Sequence, residues 1–413
     1  MKKLKTKLKV VLLIMTAIFF LYQPIVQASP HESQEVPKSE TLEEAKEEGI
    51  DPTKLVESQL ESLDLNELTE FWDSIKTEYG GFLPESQKGS LYDFMIGNKT
   101  FDLQGFFHGM LQFAFHEIIV NGKLLGSLIL LTIFSVMLQM LQNSFEKSSI
   151  STVAYAIVFM VIIILALNSF HVAITYASDA ISNMTNFILA LVPLLLALMA
   201  ASGGAISAAF FHPVILFLMN TSGMLIEYIV LPLLFLSTLL HVVSSLSEQY
   251  KVTQLANLLR NISIGILGTF LTIFLGVISV QGASSAITDG ITIKTAKFVT
   301  GNFIPVIGRM FTDATDTVIN ASLLLKNTVG IAGVVILLLL VAFPAIKILM
   351  ISFIYKFAAA LLQPIGGGPV IKCLDVISKS VIYVFAALAI VSLMFFLSIT
   401  VIIVASNLTM MVR

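Results

Sequence analysis

The sequence predicts an all-α, polytopic membrane protein with a small N-terminal helical region outside the cytoplasm. Of its 413 residues, 56% are hydrophobic and 12% are charged, whereas a soluble domain of average composition carries about 25% charged residues. Apolar runs of bilayer length recur after residue 123. The segment from Ser29 to Gln104 differs, because it contains 18 acidic and 6 basic residues.

Residues 1–28 are predicted to be a secretory signal peptide. Five lysines, the last of them Lys9, precede an apolar core from Val10 to Leu21 that is too short for a comfortable membrane span. Small residues before position 29 predict cleavage between Ala28 and Ser29. Lack of cleavage would leave an N-terminal membrane anchor instead.

Residues 29–123 are predicted to form an acidic extracytoplasmic helical region that ends in an interfacial helix over 103–121. A seam of apolar residues at alternating spacings of three and four predicts one helix: Leu65, Leu68, Trp72, Ile75 and Tyr79. Short helices bury little apolar surface by themselves. We therefore expect this region to pack on its own membrane domain or on a partner protein.

Residues 124–413 are predicted to form a membrane domain of about eight spans. An external N-terminal region would place loop 171–183 outside and loop 347–380, with Lys347 and Lys372, in the cytoplasm. Loop 246–261, with Lys251, is then also cytoplasmic. The predicted spans are 124–142, 152–170, 184–202, 205–222, 224–245, 262–281, 328–346 and 381–405.

A polar amphipathic segment at 298–330 interrupts the apolar domain. Four of its polar residues are spaced by 4, 3 and 4, which places them on one face of a helix, and a lysine follows. We expect this face to line a pore or a subunit contact, and the alternative is the wet face of a helix on the membrane surface. The candidate residues are Arg309, Asp313, Asp316, Asn320 and Lys326.

Glycine and proline residues predict two breaks between helices. The segment QPIGGGP at 363–369 lacks the following Lys-Ser/Thr of a nucleotide-binding loop, so it is interpreted as a break. Glu227 is the one acid in the run 224–245, and is either functional or a hydrogen-bonded structural group. The hinge candidates are Gly301, Pro305, Gly308, Gly366, Gly367 and Gly368.

Motifs of catalysis and cofactor binding are absent from the sequence. It contains no Walker motif, GxSxG, HExxH or CxxC. We therefore assign no catalytic, cofactor-binding or metal-binding residue and expect the protein not to be an enzyme. The acidity of 29–104 argues against nucleic acid as a partner, and the apolar domain makes membrane lipid its surroundings.

The order of signal peptide, acidic helical region and apolar domain, with FIPVIGRMFTDATDTVINASLLLKNTVG and QPIGGGP, resembles the stage III sporulation protein AE family of endospore-forming bacteria. The resemblance covers essentially the whole chain. It implies a place in the mother-cell membrane around the forespore, with the N-terminal region in the intermembrane space. It also implies a secretion-system-like transenvelope channel, shared with other membrane and ring-forming proteins and a cytoplasmic ATPase.

Three functions follow from the residues without the resemblance. The chain could be a membrane component of a channel or secretion assembly, which the external region and the polar stripe favour. It could be a self-contained secondary transporter, which broken helices favour. It could also be a non-conducting membrane scaffold for partner proteins.

Overall fold

A computed structural model shows the chain to be all-α in every part that it describes, which confirms the predicted fold class. These residues belong to one compact unit, Pro52–Arg413. The predicted signal cleavage at Ala28 and Ser29 lies outside them. The structure describes residues 60, 63–97, 101–144, 149–246, 251–303, 307–365 and 368–411. Within these ranges, only the backbone is described for 142–152, 246, 281–317 and 406–411.

The described part of the chain contains ten α-helices, and a π-helical turn at Ile226–Val230 joins α6 to α7. A short 3₁₀ turn, Glu85–Gln87, lies between α1 and α2. The helices are α1 (Asn66–Tyr79), α2 (Leu91–Met95), α3 (Leu103–Val120), α4 (Gly122–Ser144), α5 (Ser149–Ala201), α6 (Ala205–Leu225), α7 (Leu231–Leu246), α8 (Thr253–Phe303), α9 (Ile307–Leu362) and α10 (Pro369–Met411).

The N-terminal helices form where the sequence supplies an apolar seam and helix caps. Leu68, Trp72, Ile75 and Tyr79 of α1 are all buried, which confirms four of the five predicted seam residues. The fifth, Leu65, precedes the helix and is half-buried. The carboxylate of Asp102 accepts a hydrogen bond from the Gly105 backbone N–H (2.9 Å) and caps α3. These caps satisfy backbone groups that the helix itself leaves without partners.

Six helical segments in the described residues are long and apolar enough to cross a membrane. The predicted spans 152–170 and 184–202 share α5, and the spans 205–222 and 224–245 share the continuous run from α6 to α7. The six segments are Gly122–Leu141, Val153–Ala201, Ala205–Ser245, Thr253–Val280, Val318–Leu362 and Pro369–Ala405.

The loop predicted at 171–183 is wrong, because these residues form the middle of α5. The polar residues that suggested a loop, His171, Thr175 and Asp179, are four apart and exposed along one side of the helix. Ala173 and Ala177 lie on the opposite side and are fully buried. An amphipathic stretch within a long helix was therefore mistaken for a connection.

Several of these helices exceed the thickness of a bilayer. At a rise of roughly 1.5 Å per residue, the 49 residues of Val153–Ala201 extend about 73 Å, whereas the hydrocarbon core of a bilayer is about 30 Å thick. A tilt of about 40° would still leave a height of about 56 Å. One bilayer therefore cannot surround the whole of α5.

The centre of the structure is a bundle in which α9 runs antiparallel to α5 and α10. Lys326 near one end of α9 donates to the Ile403 carbonyl of α10 (2.8 Å). Near the other end, the Tyr355 hydroxyl of α9 donates to the Ser169 hydroxyl of α5 (2.8 Å). A second contact between α9 and α5 lies at Gly333, which faces Leu191. Residue numbers rise along α9 as they fall along α5 between these two contacts, so the helices are antiparallel.

The two ends of the bundle are formed by different connections between helices. The connections α7–α8 and α9–α10 lie at one end, where Lys251 and Lys372 are found, and we call it the basic end. The opposite end contains the turn Ser202–Gly204 between α5 and α6. There Gly203 has φ +93° and its N–H bonds to the Ala200 carbonyl (3.1 Å), a left-handed conformation that favours glycine and terminates α5.

Gly333 is a point of close approach between α9 and α5, and we expect Gly333→Leu to lower the membrane abundance of the protein severalfold. A Cβ at this position would overlap the side chain of Leu191, and overpacking a core typically costs about 1–3 kcal/mol. Gly265→Leu on α8 is the matched control, because a Cβ there meets nothing within 4 Å. Immunoblotting of isolated membranes measures both, and equal abundance of the two variants would contradict this packing.

Candidate functional site

The N-terminal helices pack against the bundle through an aromatic cluster that we call the joint, formed by Glu78, Tyr79, Phe113, Phe343 and Lys347. The rings of Tyr79 and Phe343 stack in parallel with their centroids 4.1 Å apart. Phe113 of α3 meets both rings edge-on, with centroids 5.8 and 5.0 Å away. Burial of these rings stabilises the contact between α1, α3 and α9.

A lysine from the bundle completes the joint. The Lys347 ammonium lies 3.4 Å from a carboxylate oxygen of Glu78. It also lies 5.2 and 5.1 Å from the ring centroids of Tyr79 and Tyr176, within cation–π distance. Burial, followed by the neighbouring Glu78, raises the pKa of Tyr79, so its phenol stays neutral. The carboxylate in contact with Lys347 is that of Glu78.

The joint corrects one part of the predicted topology. Lys347 was placed in a cytoplasmic loop and residues 29–123 outside the cytoplasm, yet Lys347 and Glu78 are in contact. These two assignments are incompatible, and α9 continues without interruption from Ile307 to Leu362. Lys347 therefore lies within a helix and not in a loop. Its charge is tolerated there because the protein supplies the carboxylate of Glu78 and the neighbouring tyrosine rings.

The joint lies level with the middle of α5. Tyr176 is close to the midpoint of Val153–Ala201, so about 35 Å of apolar helix extends on each side of it. Each half of α5 is therefore about as long as one bilayer crossing. α4 follows α3 and runs from the joint to the basic end, where Gln139 lies against Gly368.

Glu227 lies at the π-helical turn between α6 and α7. The Ser178 hydroxyl of α5 donates to its carboxylate (3.0 Å), and Pro232, which has no N–H to donate, follows directly after the turn. Single π-helical turns are frequent at functional sites. This hydrogen bond supports the interpretation of Glu227 as a hydrogen-bonded structural group, and its partner Ser178 lies 49 residues away in the sequence.

The structure separates two members of the predicted polar face. Asn320 is exposed, but Lys326 is fully buried and donates to the Ile403 carbonyl inside the bundle. Six residues advance a helix by about one and two-thirds turns, which turns these two side chains away from each other. Arg309, Asp313 and Asp316 lie on the backbone of α9, and their side chains are outside the described residues.

The predicted hinges fall at the ends of long helices. α8 ends at Phe303 and α9 begins at Ile307, with Pro305 outside the described residues, Gly301 in α8 and Gly308 in the first turn of α9. α9 ends at Leu362 and α10 begins at Pro369. Gly366 and Gly367 are outside the described residues. A Cβ on Gly368 would overlap the amide end of the Gln139 side chain, which would have to move.

In the part of the chain that the structure describes, no three His, Cys, Asp or Glu side chains come together as a metal-binding group. The thiol of Cys373 is fully buried in α10. The distinctive features of the described residues are therefore the joint, the Glu227–Ser178 pair and a group of cations near the basic end.

Comparison with known proteins identifies the family. The family model described as stage III sporulation protein AE matches residues 86–406. A curated relative, "Stage III sporulation protein AE" of Bacillus subtilis (strain 168), is 67% identical over 403 residues, which covers 98% of each chain. The chain belongs to the stage III sporulation protein AE family.

Membership of the stage III sporulation protein AE family confirms the resemblance found in the sequence and connects the chain with sporulation. No solved structure matches the chain. The family model begins at residue 86, after α1, and so includes Phe113, Phe343 and Lys347 of the joint but not Tyr79. The similarity to the B. subtilis relative extends beyond that limit, since it covers almost the entire chain.

We expect Glu78→Cys and Lys347→Cys, in a Cys373→Ala background, to be joined by a short bismaleimide in intact membranes, because the two native side chains meet at 3.4 Å. A protease site inserted at 98–100 separates the cysteines, so a cross-link keeps the two fragments together on a denaturing gel. Glu78→Cys with Lys372→Cys is the control, since Lys372 lies nearer the basic end. Linkage of the control pair alone would refute the joint.

Proposed function

We propose that this chain is an integral membrane component of a secretion-system-like transenvelope channel that links mother cell and forespore and is required for sporulation. Its family supports the role in sporulation, and six long apolar helices support a multi-pass membrane protein. The observation that carries the proposal is the length of the helices, four of which run over 37 to 49 residues within their apolar segments.

Excess helix length creates a need for protein partners. Large apolar side chains are exposed on both halves of the bundle, for example Leu130 (68%) on the half nearer the basic end and Phe217 (68%) on the other half. One bilayer covers only one half. Contiguous apolar surface outside the bilayer has to be covered by other protein, which favours an assembly over a solitary transporter.

In this proposal the protein lies in the mother-cell membrane around the forespore, with its N-terminal region in the intermembrane space. The signal peptide pattern and the acidity of 29–104 support that side. α4 then crosses the bilayer toward the basic end, so Lys251 and Lys372 face the cytoplasm, in agreement with the positive-inside rule. A cytoplasmic ATPase would meet the basic end, and ring-forming proteins would meet the N-terminal region and the apolar half beyond the joint.

The residues that we propose for a pore or subunit contact are Arg309, Asp313, Asp316 and Asn320 at the start of α9. Asn320 is exposed, which supports an accessible face there. Lys326 is left out of this face because its ammonium is buried against α10.

A secondary transporter is the second candidate function. The Glu227–Ser178 pair at a π-helical turn favours it, because transporters place ionisable groups at breaks in membrane helices. Solute uptake by the purified protein in vesicles would support the transporter. A scaffold that does not conduct would show neither uptake nor a defect after neutralisation of Glu227.

Deletion of the gene is expected to permit vegetative growth and to halt spore development around engulfment. The family and the proposed channel are the reasons for this expectation. Counts of heat-resistant spores from the deletion strain and from a complemented strain measure it. A deletion strain with normal spore counts would show that the protein is dispensable and would contradict the proposal.

A photo-reactive amino acid at Phe217 is expected to capture other proteins in sporulating cells, because that half of the bundle extends past the bilayer in the proposed orientation. The same amino acid at Leu130 on α4 is the matched control, with an equal exposed fraction of 68%, and should capture lipid. Mass spectrometry of the adducts decides between them. Lipid alone at both positions would contradict the assembly.

A further inference from the structure

Three neighbouring concavities open on the bundle between the joint and the basic end, and Lys379 lines all of them. A cavity of about 40 Å³ lies between α7, α8 and α10, with Arg260 and Tyr383 in its wall. A groove of about 580 Å³ follows between α9 and α10, lined by Phe353, Ile382 and Lys356. A third hollow of about 400 Å³ is lined by Lys356, Lys372 and Asp375.

Positive charge prevails in these concavities. Arg260, Lys356, Lys372 and Lys379 line them together with one carboxylate, Asp375. Lys356 and Lys379 each pair with a different oxygen of Asp375, so a single negative charge is shared by two ammonium groups. The site therefore keeps an excess of positive charge within helices that are otherwise apolar, where uncompensated charge is costly.

The contacts of Arg260 among the described residues are with neutral groups. Its guanidinium lies 5.4 Å from the ring centroid of Tyr383 and donates to the side-chain oxygen of Asn257 (2.7 Å). A guanidinium has five donors in a planar fork that suits phosphate and carboxylate. Arg260 thus retains capacity for an anion in the cavity that it shares with Lys379.

The wall of the groove is apolar and open to the outside of the bundle. Phe353 and Ile382 are 48% and 43% exposed, and the ring of Phe353 stacks on that of Phe357 at 5.7 Å. The Lys356 and Lys379 side chains are 59% and 65% exposed at the edge of this wall. An apolar wall that ends at a group of cations matches a molecule with an acyl chain and an anionic head.

We propose that this groove binds an anionic phospholipid, with the phosphate between Lys356, Lys379 and Arg260 and an acyl chain along Phe353 and Ile382. Basic pockets between membrane helices on the cytoplasmic side are suited to such headgroups. A free phosphate or nucleotide would use the cations but not the exposed apolar wall. The proposal is independent of the channel, because it rests only on this groove and on the adjoining cavity that contains Arg260.

The test is native mass spectrometry of the full-length chain in detergent, titrated with phosphatidylglycerol or with phosphatidylcholine. The wild-type protein should bind phosphatidylglycerol preferentially. The double variant Arg260→Gln with Lys379→Gln leaves Lys356 to pair with Asp375. It should bind phosphatidylglycerol about thirtyfold more weakly, since each cation near a membrane surface contributes about a fivefold factor. Lys251→Gln, at the same end but outside the groove, should bind as the wild type does.

A second variant, Phe353→Ser, keeps every charge and should also weaken phosphatidylglycerol binding. It provides a test of the proposal if the double variant does not fold. Equal binding of the two lipids by the wild type would overturn the proposal. An equal loss of binding in the Lys251→Gln variant would also overturn the proposal, since it would point to general surface charge. Displacement of the lipid by excess inorganic phosphate would overturn it too, since it would point to a site for the free anion.

Discussion

The antiparallel register of α9 between α5 and α10 is the interaction on which the other parts of the structure depend. The facing surfaces are rich in Leu, Ile and Val, and the close approach at Gly333 already favours one register by shape. Polar contacts distinguish the registers: the side chains of Ser352 and Ser378 each donate to the backbone carbonyl of the other (2.9 and 3.0 Å), and Lys326 reaches the Ile403 carbonyl. A shifted register would leave these groups without acceptors, which is costly in an apolar interior.

That register fixes what lies at the middle of the bundle. It brings Phe343 and Lys347 of α9 to the level of Tyr176 on α5, and together they form the surface that receives Tyr79. Helices of this length are longer than one bilayer is thick. A surface halfway along them therefore marks a level at which the environment of the helices can change from lipid to another medium. α1 and α3 cover that surface, while α4 leads from it to the basic end.

Much of this fold could be predicted from the sequence, and the failures have a common cause. The seam of Leu68, Trp72 and Ile75 was predictable because helical periodicity is local. The continuity of α5 was missed because His171, Thr175 and Asp179 resemble a loop when burial on the opposite side is unknown. The contacts Glu227–Ser178 and Lys347–Glu78 join residues 49 and 269 positions apart, and one sequence carries no signal of such pairings. Lys326 was assigned to an accessible face for the same reason, since its acceptor belongs to a distant helix.

The ion pair between Lys347 of α9 and Glu78 of α1 couples the N-terminal helices to the membrane domain. Lys347 is balanced by a carboxylate from α1, and its side chain is only 19% exposed. Without α1, this ammonium would lose the carboxylate of Glu78, and the buried ring of Phe343 would lose the ring stacked on it. Near the basic end Asp375 serves two lysines and Arg260 meets neutral groups, so there the balance of charge has to come from the surroundings. The joint thus meets this physical requirement within the chain. This makes α1 and α3 a structural part of the bundle, although the sequence presents them as a separate acidic region.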